Sequence, residues 1–329
     1  MPADFKPLVL IGASAGGVTA LRRLASELPA DLQVPVAVVL HIGPHPSHMP
    51  DILQAAGPLP ASHAHDGQLL RPGHLYVAPP DHHMLIDGPL LRLTRGPKEH
   101  HSRPAIDPLF RSGAINHGPK VIGVVLTGLL DDGTAGLQAI KECGGTAVVQ
   151  APEDAEEPSM PLSALKHVQV DHCVALKDMA PLLVELTSRA PGSAMQPPPK
   201  WLHEHELTLG KGDPMEHLEA IATPSTFVCP DCKGGLWTIS GSRPIRFICH
   251  VGHSFTLQTL LHAQALATDE ALWTAIRALQ EKRLLFDKSA EALRSEGDDA
   301  QAQWSAQEAR ALQRQERLLR HLVEVPPPS

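Results

Sequence analysis

Three residue types that together can activate a hydroxyl stand at the ends of apolar runs in this chain. Leu8 to Gly17 reads LVLIGASAGG, an apolar strand that enters a loop of small residues with Ser14 at its centre. Gly12-Ala13-Ser14-Ala15-Gly16 fits G-x-S-x-G, in which glycines permit a tight strand-to-helix turn that lifts the hydroxyl to the sheet edge. A serine hydroxyl attacks a carbonyl only when a base within hydrogen-bonding reach takes its proton, and that base is best held by a carboxylate. His41 ends the run VPVAVVL, and Asp131 and Asp132 follow the next apolar run in TGLLDDGTAG. All of these positions lie just past the C-terminal ends of expected parallel strands, where open α/β sheets place their sites.

A dinucleotide cofactor is the rival reading of the same loop. Its fingerprint is G-x-G-x-x-G, with an acidic residue at the end of the second strand to hold the ribose. Here Ser14 replaces the middle glycine and His41 ends the second strand, so the loop reads as a nucleophile turn.

A second cluster lies far along the chain. Cys229-x2-Cys232, then 16 residues, then Cys249-x3-His253 has the spacing of a zinc ribbon, two turns each giving two ligands to a tetrahedral ion. His250 in CHVGH is the rival to His253. Four protein ligands would close the site, so the expected zinc is structural and catalysis needs no cofactor.

The elements that must position these residues follow from pattern. From Pro7 to about Leu186, β-branched runs alternate with helical stretches, as in a doubly wound, mostly parallel, Rossmann-like three-layer α/β sheet. The expected strands are Leu8–Gly12, Val34–Leu40, His74–Ala78, Val121–Leu126, Thr146–Gln150 and His172–Ala175. The expected helices are Val18–Leu28, Ile106–Ile115, Thr134–Glu142, Pro161–Lys166 and Asp178–Ser188. MLIDGPLLRL reads as a hairpin turning at Asp87-Gly88. The domain reading is a catalytic domain over 1–190, a linker over 191–222 opened by RAPGSAMQPPPK, a zinc-ribbon-like module over 223–256, and a helical hairpin over 257–323. Leu272, Ile276, Leu279, Phe286, Ala290 and Leu293 follow a 4-3 spacing with Arg283 in one slot, and Asp298 or Asp299 caps the second helix. This hairpin either packs on itself or meets a partner helix.

Composition narrows the class. A formal charge of −8 gives the summed field the wrong sign for nucleic acid, so none is expected as a partner. The one basic stretch, RLTRGPKEHHSR from Arg92 to Arg103, reads as a solvated loop that an acidic partner could meet. The longest apolar run, VIGVVLTGLL, is too short to span a bilayer, and no basic region precedes a signal core, so membrane insertion is not expected and a cytoplasmic protein is.

Taken in order, LIGASAGG, VVLHI, GHLYVAPPDHHM, RPAIDPLFRSGA and VVLTGLLDDGTAGLQAIKECGGTAVVQAPEDAEEPSMPLSAL resemble the catalytic domain of the chemotaxis protein-glutamate methylesterases, the CheB family, from about Leu8 to about Leu186. The resemblance implies a Ser-His-Asp triad that hydrolyses γ-glutamyl methyl esters on the cytoplasmic helices of chemoreceptors and releases methanol. Some relatives also deamidate receptor glutamines. The family serine falls on Ser14, the histidine on His41, and the aspartate before glycine on Asp132. Backbone N–H groups of Gly16 and Gly17, at the start of the following helix, are the candidates to hold the oxyanion. Ala15 stands where many members have Thr, and Leu129-Leu130 where they have Met-Gly, so the pocket wall is expected to differ while the chemistry is the same. Better-known members carry a receiver domain ahead of this one. Only six residues precede Pro7, so the expectation is control by a partner, by the C-terminal half, or none. The C-terminal segment is similar to a tail found on some receiver-less members, and its helices are candidates to bind a receptor methyltransferase or another signalling protein. The alternative from another class is a non-catalytic signalling adaptor.

Overall fold

The structure, a computed structural model, describes residues 7–43, 45–193 and 195–324. Its first strand shows why the sheet forms. β1 (Leu8–Ala13) is buried along its whole length, as a strand covered on both faces must be. Alternate side chains point to opposite faces. Leu8 and Leu10 join one core with Ile106, Phe110 and Leu137, while Val9 and Ile11 join a second with Leu21, Leu24 and Leu183.

The elements follow in order: α1 (Gly17–Glu27), β2 (Val36–Leu40), α2 (Met49–Ala56), β3 (Ala61–His63), β4 (Gln68–Leu69), β5 (Leu75–Val77), β6 (His83–Asp87), β7 (Leu90–Thr94), α3 (Ile106–His117), β8 (Val121–Val125), α4 (Thr134–Glu142), β9 (Thr146–Gln150), α5 (Ser159–His167), β10 (His172–Val174) and α6 (Leu176–Ser188). Seven strands form one sheet in the order β10-β9-β8-β1-β2-β5-β3, and every neighbouring pair is parallel. The chain winds outward from β1 through β2, then crosses to β8 on the other side. The switch point therefore lies between β1 and β8, where open sheets of this kind form a crevice.

Two expectations are corrected here. The hairpin of β6 and β7 pairs Asp87 with Leu90, so its loop is Gly88-Pro89, one residue later than expected. Gly88 has φ 54°, which a side chain there would resist. The expected linker is largely helical: α7 (Pro199–Leu209) and α8 (Pro214–Ile221) occupy it. Trp201 is the reason, since it is buried against the first core and donates its indole N–H to Glu142 at 2.8 Å.

Four antiparallel strands follow, β11 (Ala222–Val228), β12 (Gly235–Ile239), β13 (Arg246–Cys249) and β14 (Ser254–Thr256), paired in sequence order. The helices α9 (Leu257–Ser295) and α10 (Asp299–Glu324) complete the described chain. The chain divides into two compact units, the first ending at Leu260 and the second starting at Leu261. Within the second, the helices pack on each other along the expected stripe. Ile276 and Ala290 are buried, Phe286 meets Trp304 edge-on, and Asp298 caps α10 through the Gln301 N–H at 3.1 Å.

Candidate functional site

Ser14, His41 and Asp132 come together at the C-terminal edge of β1, β2 and β8. The ladder continues past the strand ends. The His41 N–H donates to Ala13 at 3.1 Å, and the Ser14 N–H donates to Thr127 at 3.0 Å. Gly12 and Gly128 allow the close approach. A Cβ on Gly12 would lie 2.4 Å from Ile106, and one on Gly128 would lie 2.1 Å from Met160 Sδ and 2.8 Å from Ser14 Cβ.

His41 Nδ1 lies 3.1 Å from Ser14 Oγ, and His41 Nε2 lies 2.7 Å from Asp132 Oδ2. With the ring proton on Nε2, Nδ1 is free to accept from the serine hydroxyl. Asp132 is almost fully buried, yet it is saturated with donors. Its Oδ2 accepts from the Ile106 N–H at 2.7 Å, and its Oδ1 from the N–H groups of Asp107 at 3.1 Å and Gly133 at 2.7 Å. Ile106 and Asp107 open α3, so this carboxylate sits on a helix N-terminus, which favours negative charge. Burial works against its ionisation. The His100 charge, the bond and charge of His41 and the Ile106 N–H overcome that and hold its carboxyl well below the usual range.

Asp131, the other aspartate of the pair, does not reach His41. Its Oδ1 accepts from the Thr256 hydroxyl at 2.7 Å, and burial pushes its carboxyl up. The two glycine candidates also part. The Gly17 N–H donates to the Ser14 carbonyl at 2.8 Å, so it is committed to the turn, whereas no acceptor among the described residues takes the Gly16 N–H. Gly16 is the N-cap of α1, with φ 74°.

Several residues of the site carry no sequence signal of their own. The basic stretch from Arg92 to Arg103 is not a solvated loop. Arg103 forks onto Asp81, Glu99 and His100 are buried, and the Ser254 N–H donates to the Lys98 carbonyl. Glu99 pairs with Arg111 of α3. Arg111 also reaches Glu204 of α7, and Arg246 of β13 meets Glu204 with two bonds of 2.8 Å. Two arginines and two glutamates, all buried, thus join the parallel-sheet domain, α7 and the ribbon.

In the ribbon, the three Sγ atoms of Cys229, Cys232 and Cys249 and a ring nitrogen of His253 all lie within 4.8 Å of one another. Cys232 Sγ is 3.7 Å from Cys249 Sγ, which is 3.6 Å from His253 Nδ1. Those edges fit a tetrahedron with metal bonds of about 2.0–2.3 Å. His250 is outside the cluster.

Fold and contacts together define an α/β protein with a serine-hydrolase arrangement of Ser, His and Asp at its switch point. The CheB methylesterase family matches residues 9–183, and the chain belongs to that family. A protein of Leptospira interrogans named as a protein-glutamate methylesterase/protein-glutamine glutaminase is 37% identical over 180 residues, 54% of this chain and 93% of that one. A Myxococcus xanthus protein-glutamate methylesterase/protein-glutamine glutaminase is 38% identical over 186 residues, 55% of this chain and 53% of that one. The crystal structure of the Thermotoga maritima CheB methylesterase catalytic domain superposes with a TM-score of 0.54 at 30% identity, covering 55% of this chain and 98% of that one. The family match spans the parallel-sheet part. Among the described residues no helix is long and apolar enough to cross a membrane.

Proposed function

We propose that this protein is a serine esterase that hydrolyses γ-glutamyl methyl esters on the cytoplasmic helices of chemoreceptors, with Ser14 as nucleophile, His41 as base and Asp132 as its anchor. The observation that carries this is the unbroken line from Ser14 Oγ to His41 Nδ1 at 3.1 Å and from His41 Nε2 to Asp132 Oδ2 at 2.7 Å, in a chain whose relatives bear that activity in their names.

In this mechanism His41 Nδ1 takes the hydroxyl proton as Ser14 attacks the ester carbonyl. The oxyanion forms beside the N-terminus of α1, where the Gly16 N–H is the donor. Protonated His41 then gives its Nδ1 proton to the departing methoxide, which leaves as methanol, and a glutamyl ester remains on Ser14. Water, deprotonated by the same nitrogen, cleaves that ester and restores the serine. A glutamine side chain runs through the same steps with ammonia as the leaving group, so deamidation is part of the proposal. The substrate places the protein in the cytoplasm.

Cys229, Cys232, Cys249 and His253 are proposed to hold a structural zinc. A bound zinc would favour the thiolate forms of the three cysteines. The apolar side chains of Leu284, Leu285, Leu318 and Leu322 on the helical hairpin are exposed, and we assign them to a signalling partner.

The test is methanol release from methylated chemoreceptor cytoplasmic fragments. Wild type should release methanol and Ser14→Ala should not. Equal release by both proteins would defeat the reading.

A further inference from the structure

We propose that His100 is a positioning residue for this site: held in place by the ribbon, its imidazolium stands behind Asp132 and keeps that carboxylate charged and aimed at His41. The inference rests on the esterase reading above.

Asp132 lies between two histidines. His41 meets it at Oδ2, and His100 Nε2 lies 3.5 Å from Oδ1 and 2.8 Å from Asp107 Oδ2. Asp107 is anchored in turn, since its Oδ1 accepts from the Gly136 N–H at 2.6 Å. His100 Nδ1 faces Thr259 Oγ1 at 3.4 Å, and the side chain is only 3% exposed.

Three carboxylates, Asp107, Asp131 and Asp132, are therefore buried together, and like charges in such a place drive one of them to take a proton. His41 must be neutral when each turnover starts, so it cannot supply the balancing charge then. The other cations are engaged elsewhere: Arg111 by Glu99 and Glu204, and Arg246 by Glu204. Burial pushes the His83 ring towards neutrality. His100 is left as the imidazolium of the cluster. Burial opposes its charge, but Asp132, Asp107 and Asp131 overcome this and raise it to about 10.

The ribbon fixes this ring. His100 and His101 take left-handed backbone conformations, φ 54° and 60°, a geometry that side chains resist unless their surroundings hold it. The His100 N–H donates to the Ser254 carbonyl of β14 at 2.8 Å, and the Ser254 hydroxyl donates to Glu99 at 3.3 Å. Thr259, which faces His100 Nδ1, lies in the first turn of α9, directly after β14. A catalytic domain without this module would lack each of those holds.

The test compares full-length wild type, His100→Gln and His100→Lys. Removing a positive charge raises the proton affinity of the whole cluster. The acid limb of the kcat/KM profile should thus move up by about one pH unit in His100→Gln, with kcat down about tenfold and KM nearly unchanged. His100→Lys should recover the limb. An unmoved limb in His100→Gln, or a lysine variant no better than glutamine, would overturn the role. Nitrogen NMR of the wild type needs no variant to fold: the His100 ring should carry both protons at pH 8. A neutral ring alongside Ser14-dependent hydrolysis overturns the positioning role alone. A doubly protonated ring without Ser14-dependent hydrolysis overturns the esterase reading and the role with it.

Discussion

Thr256, at the end of the ribbon's last strand, donates its hydroxyl to Asp131 at 2.7 Å, one residue before the carboxylate that holds His41. The two neighbouring aspartates have opposite electrostatic situations. Asp131 is pushed up by burial, so at neutral pH its charge costs stability, whereas Asp132 is held down by His100, His41 and backbone donors despite burial. Asparagine at either position mimics the protonated acid. We expect Asp131→Asn, which still offers Thr256 an acceptor, to melt at or above the wild-type temperature at pH 7. Asp132→Asn should melt lower and lose about 10⁴-fold in kcat, as expected when the anchor can no longer fix the ring tautomer. Melting curves and methanol release on both variants check this, and a reversed order of stability would contradict it.

A second expectation concerns alkaline conditions. His100 is raised from 6.5 to about 10 in the folded chain, so the fold binds a proton there more tightly than the unfolded chain does. Its contribution is fully present below pH 6.5 and is lost as pH rises through about 10. Urea midpoints should fall between pH 7 and pH 10 in wild type, and much of that slope should vanish in His100→Gln. A variant with the wild-type slope would assign the loss to other groups.

The buried Arg111–Glu99 and Arg246–Glu204 network should behave unlike a surface ion pair. Glu204→Gln leaves the buried Arg246 guanidinium without its carboxylate and Arg111 with Glu99 alone, and should cost about 3–5 kcal/mol. Arg23→Ala, which breaks only the half-exposed pair with Glu27 on α1, should cost less than about 1 kcal/mol. Denaturant unfolding of both variants gives the comparison.

The parts of this architecture that are local were legible in the sequence. The sequence pattern places β1, β9 and α4 to within a residue, because strands buried on both faces carry unbroken apolar runs and glycines mark the loops between elements. Ser14, His41 and the Asp131-Asp132 pair stand out for the same reason, each following such a run. What stayed hidden depends on contacts distant along the chain. Glu99 and His100 look like members of a charged loop until Ser254 and Thr259, more than 150 residues on, enclose them. Trp201 in a proline-rich stretch suggests a linker until the Glu142 carboxylate meets its indole N–H. By pattern alone Asp131 and Asp132 are equivalent; the family resemblance singles out Asp132, and the two carboxylates meet different donors.

Metal removal should reach the fold beyond the ribbon. Cys249 ends β13, His253 directly precedes β14, and β14 carries the Ser254 carbonyl that holds His100 and the Thr256 hydroxyl that holds Asp131. If one zinc joins Cys249 and His253, its loss frees the turn between those strands and loosens both holds. Purified protein should contain about one zinc per chain, as a closed four-ligand site predicts. A strong chelator or Cys232→Ser should remove it, lower the melting temperature and open the 246–256 segment to protease. These readouts need no substrate. Protein that is free of zinc from the outset and melts unchanged with chelator would mean that the three thiols and the imidazole hold the ribbon together by packing and hydrogen bonds alone.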